Sequence, residues 1–201
     1  MKILCIGRNY AEHAKELGNE VPTEPVIFMK PDSAVLKGND FYIPEFSQDI
    51  HYELEVVLKI SKGGKYITEE NAPNYYNEIG LGIDFTARDL QRKLKEKGWP
   101  WELSKGFDGS AVVSNFYQKD NFDLKNLNFS LLINKQEVQN GNTSLMIFSP
   151  EKIIAFVSKY FTLKVGDLIF TGTPKGVGKV IENDILEAYL EDEKVFDIRI
   201  Q

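Results

Sequence analysis

The run His51-Tyr52-Glu53-Leu54-Glu55-Val56-Val57-Leu58 places two carboxylates two residues apart in an otherwise apolar stretch. In a strand, side chains at i and i+2 point to one face, so Glu53 and Glu55 project side by side. Like charges at that spacing repel, and burial raises the cost unless a cation sits between them. Hard carboxylate oxygens suit Mg²⁺ or Mn²⁺; a solvated strand face is the competing explanation. Asp84 adds a third carboxylate. It follows Gly80-Leu81-Gly82-Ile83 and precedes Thr86, a strand end near a helix start, where ligands are often met, although an ordinary turn aspartate looks the same. Along the helix that follows, Arg88 and Gln91 are three apart and share a face, presenting a guanidinium and an amide to one pocket or to solvent. His13 and Glu16 have the same spacing on an earlier short helix. A carboxylate that orients an imidazole makes a general base near neutral pH, while Glu12, Lys15 and Glu16 together also describe an exposed polar face.

The glycine loops do not cradle a nucleotide. Between Gly172 and Gly178-Lys179 lie five residues, and Val180 follows, whereas the phosphate-binding pattern needs four and then Ser or Thr. Gly80-Leu81-Gly82 lacks the third glycine of a dinucleotide fingerprint. The Thr173 hydroxyl and nearby amides suit a small carboxylate instead.

Strands must position these groups. Lys2-Ile6, Val26-Met29, Leu54-Ile60, Ile79-Phe85, Phe129-Ile133, Leu168-Phe170, Leu186-Leu190 and Val195-Ile200 are apolar or β-branched runs bounded by turn residues. The last two flank Glu191-Asp192-Glu193-Lys194, a connector of hairpin length, and predict a closing antiparallel pair. Helical patterns are short: Tyr10 to Leu17, stopped by Gly18; Ala87 to Lys97, capped by Thr86 and stopped by Gly98; and a helix capped by Ser149 with Pro150 first, in which Ile153, Ile154, Phe156, Val157 and Tyr160 recur at helical spacing. Few helices in non-alternating order argue against a doubly wound sheet. The expected fold is α+β and strand-rich, a mixed β-roll or β-sandwich with peripheral helices, in one domain over 1–201.

With 201 residues, 42% hydrophobic and 27% charged, the chain has a globular composition, and no apolar run approaches the length of a membrane span. A net charge of -6 repels phosphate backbones and anionic lipids, so no nucleic-acid or membrane partner is expected. Cys5, the lone cysteine, cannot form an internal disulfide and lies in an apolar run, consistent with a buried thiol in a reducing compartment. That run is too short for a signal peptide, so a cytoplasmic start is expected.

Taken in order, Gly7-Arg8-Asn9-Tyr10 with His13 and Glu16, Phe28-Met29-Lys30-Pro31, His51 to Glu55, Asp84-Phe85-Thr86-Ala87-Arg88-Asp89 with Gln91, Ser104 to Asp108, and Gly166-Asp167 leading into Thr171 to Gly178 resemble the fumarylacetoacetate hydrolase family, in its single-domain acylpyruvate hydrolase-like branch. One departure is the segment Gly109 to Ser114, which lacks a Pro-Leu-Gly common there. The resemblance implies a homodimer and one divalent ion, Mg²⁺ with Mn²⁺ as the alternative, held by Glu53, Glu55 and Asp84. It further implies His13 oriented by Glu16 as the base that activates water, Lys105 stabilising an oxyanion or protonating an enolate, Gln91 and Thr173 binding substrate oxygens, and Arg88 orienting the site. The helix bearing His13 would be a lid ordering on ligand binding. Gly109 to Ser114 and the loop Gly18 to Pro25 would set substrate size. The activity implied is hydrolysis of acylpyruvates to pyruvate and a carboxylic acid. The same metal-enolate logic permits decarboxylation of oxaloacetate or isomerisation and decarboxylation of related oxo diacids. A non-catalytic metal- or carboxylate-binding protein is the reading from another class.

Overall fold

The structure, a computed structural model, describes residues 1–16, 18 and 20–201. In chain order its elements are β1 (Ile3–Gly7), α1 (Ala11–Glu16), β2 (Val26–Lys30), β3 (Asp40–Phe41), β4 (Ile50–Tyr52), β5 (Leu54–Ile60), β6 (Tyr76–Asp84), β7 (Thr86–Ala87), α2 (Arg88–Glu96), α3 (Glu102–Lys105), β8 (Ala111–Val113), β9 (Tyr117–Gln118), β10 (Asn128–Ile133), β11 (Gln136–Asn142), α4 (Pro150–Tyr160), β12 (Leu168–Phe170), β13 (Gly178–Lys179), β14 (Ile185–Leu190) and β15 (Glu193–Ile200). The main sheet has seven strands in the order β2-β1-β12-β5-β6-β8, with β9 also paired to β6. A five-stranded sheet, β11-β10-β14-β15-β3, faces it, and β13-β4-β7 forms a small third sheet. Strand-rich architecture with peripheral helices is therefore observed, and β14 and β15 close the chain as an antiparallel pair.

Alternation along β5 divides the main sheet into two faces. Leu54, Val56, Leu58 and Ile60 bury into the large core, where they meet Leu131, Leu186 and Ala188 of the second sheet and Ile153, Ile154 and Val157 of α4. Val57 belongs to a smaller cluster on the opposite face, with Ile3, Cys5, Phe28, Leu168 and Phe170. Period-two geometry carries that second face back to Glu55 and Glu53. Cys5 is fully buried, and burial followed by the nearby Asp84 carboxylate pushes its thiol pKa up.

Three local expectations need correction. Thr86 does not cap α2: it is the first residue of β7, buried with its hydroxyl unpartnered, and Ala87 occupies the cap position. Asp89 accepts instead from Ser47 Oγ and from the Gln48 and Leu90 amides, which ties the start of α2 to the segment before β4. Helix α1 runs Ala11–Glu16, Tyr10 forms an isolated bridge to Met146, and Leu17 lies outside the described residues. Strand β11 was not expected because Gln-Glu-Val-Gln-Asn-Gly-Asn has almost no apolar alternation. It forms because Asn134 and Lys135 both take positive φ, the hairpin turn that folds it onto β10. Ser149 does cap α4, accepting from the Lys152 amide, with Pro150 at the first position.

Asn9 locks the loop after β1 to two distant segments. Its side-chain amide donates to the Phe148 carbonyl at 3.0 Å and to the Thr171 carbonyl at 2.7 Å, and its Oδ1 accepts from the Phe148 amide at 2.7 Å, all buried. Asn9→Ala orphans three buried backbone groups, so a loss of about 3 kcal/mol is expected, read as a lower urea midpoint at unchanged m-value.

Candidate active site

Glu53 immediately precedes β5 and Glu55 lies within it. Strand β5 runs antiparallel to β6 with Glu55 opposite Gly82, and the Asp84 amide donates to the Glu53 carbonyl at 2.9 Å. That register sets Asp84 across from Glu53, and directly opposed residues share a face. One oxygen from each of the three carboxylates therefore lies within 4.8 Å of the others, and all three side chains are buried. Among the described residues no other group of three His, Cys, Asp or Glu side chains converges in this way. Gly82 is needed beneath them: a Cβ there would stand 2.6 Å from the Phe170 ring and from the Val112 carbonyl.

Three cations surround the cluster. Lys105, at the end of α3 and 3% exposed, donates to Glu53 Oε2 at 2.8 Å and to Asp84 Oδ2 at 2.7 Å. Arg88 donates through Nη2 to Glu53 Oε1 at 2.6 Å and through Nη1 to Gln91 Oε1 at 2.9 Å. Lys30, completely buried, ion-pairs with Asp84 Oδ1 at 2.8 Å from below. Burial acts to raise the Glu53 pKa, but the Lys105 ammonium and Arg88 guanidinium outweigh it and hold the carboxyl well below its usual range. Burial likewise acts to lower the Lys105 pKa, and Asp84 and Glu53 more than reverse it.

Glu55 is treated differently. Its hydrogen-bond partner is the Gly172 backbone amide, 2.6 Å from Oε2, and among the described residues no cation pairs with it. Burial first, then Asp84 and Glu53, push its pKa well above the ordinary value. A buried carboxylate without a cation, beside two others, is a group that a divalent ion would satisfy, and three hard oxygens with room for further ligands suit Mg²⁺ or Mn²⁺. The residues present fit the ion. Gly172 holds φ +101°, and a Cβ on it would stand 2.6 Å from Asn9 Cβ, so this amide reaches Glu55 only because the position is glycine.

Above the carboxylates opens a narrow cleft, lined by His13, Glu53, Glu55, Arg88, Gln91, Lys105 and Thr173, and by Arg8, Phe28, Lys95 and Trp101. His13 is buried, with Nδ1 3.2 Å from Glu16 Oε2. Glu16 also accepts from the Gly176 amide at 3.1 Å, so α1 is docked on the loop after β12. Thr173 Oγ1 accepts from Gln139 Nε2 at 2.9 Å, while Gln139 Oε1 accepts from the Leu54 amide at 2.9 Å. Gln139 thus couples Thr173 to the strand that carries the glutamates. All nine residues singled out from sequence meet here, with Asp84 below the cleft and Glu16 behind His13.

Several expected roles change. Of the amides beside Thr173, that of Gly172 is spent on Glu55. Gly109 to Ser114 does not line the cleft; β8 extends the main sheet, and Ser110 gives Oγ and carbonyl partners to Lys30 at 3.0 and 3.1 Å. No described residue of the 18–25 loop lines the cleft. The sequence motif Phe28-Met29-Lys30-Pro31 assigns Lys30 no role. Its signal was present, since period two in β2 puts it on the buried face of Phe28. Gln139, on a polar edge strand, and Lys95, on a lysine-rich helix, carried no such signal.

Comparison with known proteins agrees with this geometry. The family model "Fumarylacetoacetate (FAA) hydrolase C-terminal" matches residues 2–201. The chain is 44% identical over 188 residues to the mitochondrial oxaloacetate tautomerase FAHD1 of Bos taurus, covering 92% of this chain and 85% of that one. It is 43% identical over 203 residues to the mitochondrial oxaloacetate decarboxylase of Dictyostelium discoideum, covering 98% and 93%. The crystal structure of fumarylpyruvate hydrolase from Pseudomonas aeruginosa in complex with Mn²⁺ and pyruvate superposes with a TM-score of 0.94 at 33% identity, covering 100% of this chain and 89% of that one. A match across the whole length, the strand-rich fold and the buried acidic triad converge on one conclusion: the chain belongs to the fumarylacetoacetate hydrolase family.

Proposed function

We propose that this protein is a divalent-metal-dependent enzyme of small 2-oxo acids working through an enolate, with oxaloacetate tautomerisation and decarboxylation as its leading chemistry. The observation that carries the reading is the buried triad Glu53, Glu55 and Asp84 at the floor of a cleft walled by cations. Relatives above 40% identity named for oxaloacetate chemistry support the choice of substrate. Bound Mg²⁺, or Mn²⁺ in its place, supplies Lewis-acid polarisation of a carbonyl oxygen.

The chain's own residues do the rest. Arg88 fixes Glu53 by one arm and Gln91 by the other, leaving the Gln91 amide nitrogen for a substrate oxygen. Lys105 holds its ammonium within the carboxylate cage, placed to stabilise a developing enolate oxygen or to return a proton to carbon. Thr173 offers its hydroxyl from the opposite wall. Nδ1–H of His13 donates to Glu16, so Nε2 is left as the base. A homodimer in the cytoplasm completes the proposal.

The second reading, cleavage of acylpyruvates, is favoured by that dyad, since hydrolysis needs an activated water and loss of CO₂ does not. The test is to assay oxaloacetate turnover and acetylpyruvate cleavage side by side in wild type and His13→Ala. Acetylpyruvate cleavage is expected to fall about 10²- to 10⁴-fold, and oxaloacetate decarboxylation by much less. Undiminished acetylpyruvate cleavage in the variant would remove His13 as the base. Metal-loaded protein that turned over neither substrate would leave the binding-protein reading standing.

A further inference from the structure

One face of α2 carries more than the pair already described. Arg88, Gln91 and Lys95 follow each other at i, i+3 and i+7, and all three line the cleft. Seven residues of helix span about 10 Å, so Lys95 stands at the mouth while Arg88 stands at the floor. Arg8 reaches the same cleft from the end of β1. Its φ is +61°, a left-handed conformation unusual for a side-chain-bearing residue and held in place by the Asn9 clamp that follows.

Arg88 is neutralised by Glu53, but among the described residues neither Arg8 nor Lys95 has an ion pair or a side-chain hydrogen bond. In or against the cleft, five cationic heads (Arg8, Lys30, Arg88, Lys95, Lys105) therefore face four carboxylates (Glu16, Glu53, Glu55, Asp84). That is an excess of one positive charge before any metal is counted, in a protein whose net charge is -6. Burial and then the charges of Arg8 and Arg88 lower the Lys95 pKa. A monoanionic substrate engaged at the floor cannot answer the two cations at the mouth.

We propose that Arg8 and Lys95 form a distal anion subsite that reads a second carboxylate, so that the cleft selects dicarboxylic over monocarboxylic 2-oxo acids. The inference rests on the 2-oxo acid reading of the floor. A 2-oxo acid whose head is seated at the triad would extend its chain outward along α2, where Lys95 and Arg8 would meet a far carboxylate. Charge-assisted contacts at a partly desolvated mouth give this recognition its strength.

The test titrates Mn²⁺-saturated protein calorimetrically with pyruvate and with 2-oxoglutarate, which share a 2-oxo acid head and differ in the second carboxylate. Wild type is expected to bind 2-oxoglutarate at least about tenfold more tightly than pyruvate, and Lys95→Met and Arg8→Met each to reduce that ratio about tenfold. Lys95→Arg is expected to keep it. Thermal melts confirm that each variant is folded, and Lys95→Gln provides a second neutral side chain at the more exposed position. An unchanged ratio in the neutral variants overturns the subsite while leaving the 2-oxo acid reading intact, because both ligands still bind. Wild type that binds neither ligand overturns both.

Discussion

Glu55→Gln is expected to cut Mn²⁺ affinity at least about 100-fold and to reduce turnover at least as much, while leaving the metal-free protein as stable as wild type or more so. Removing groups that merely support a metal ligand commonly costs 10- to 100-fold in affinity or activity, so neutralising a ligand itself should cost no less. The stability half of the prediction follows from the local charges. Glu53 and Asp84 have cationic partners, whereas Glu55 has only the Gly172 amide and lies within reach of two other buried carboxylates. Gln keeps an oxygen for that amide and removes one buried charge, relieving repulsion. Calorimetric metal titration and thermal melts separate the two effects. Wild type should gain about 2.7 kcal/mol at a free metal concentration 100 times its dissociation constant, and the variant at that concentration almost nothing. A variant that binds Mn²⁺ as tightly as wild type would remove Glu55 from the metal site. One that unfolds earlier without metal would show that Glu55 is already compensated in the apo protein.

Lys30→Met is expected to be the most damaging single change to stability. The Lys30 ammonium, with no solvent exposure, ion-pairs with Asp84 and reaches Ser110 Oγ, the Ser110 carbonyl and the Lys105 carbonyl. Methionine fills similar volume but leaves Asp84 only Lys105, which it shares with Glu53, and takes one donor from each of two carbonyls that keep the Phe85 amide and the Ser110 hydroxyl. Breaking one partner of a buried pair costs about 3–5 kcal/mol, or on the order of 10 °C in melting temperature for a chain of this size. Because Lys30 also holds the Lys105 carbonyl, the end of α3 loosens with it, and turnover should fall even where the variant remains folded. Lys30→Arg should rescue little, since a planar fork does not fit a site shaped around a point charge. A melt of Lys30→Met coincident with wild type would mean that Asp84 is satisfied by Lys105 alone.

Which side chains belong to the site was readable from the linear chain because the relevant periodicities are short. Period two placed Glu53 and Glu55 on one face, and helical spacing paired Arg88 with Gln91 and His13 with Glu16; each pair is in contact or on a shared wall in the structure. The apolar runs marked the central strands for the same reason, since a strand buried in a sheet must be apolar over its own length. Short or polar strands such as β7 and β11 escaped, because what makes them strands is a neighbour's free edge and, for β11, a two-residue turn rather than their own composition.

Tertiary structure decided everything that depends on register across distant segments. The antiparallel pairing of β5 with β6 turned two glutamates and a remote aspartate into one cluster. The packing of β2 and α3 against the cluster decided which lysines neutralise it, and the left-handed Gly172 decided that one glutamate would be met by an amide rather than a cation. Charge compensation inside a protein is a sum over neighbours that are far apart in sequence. The linear chain could therefore name the carboxylates, but only the folded arrangement determines which of them is left needing a metal ion.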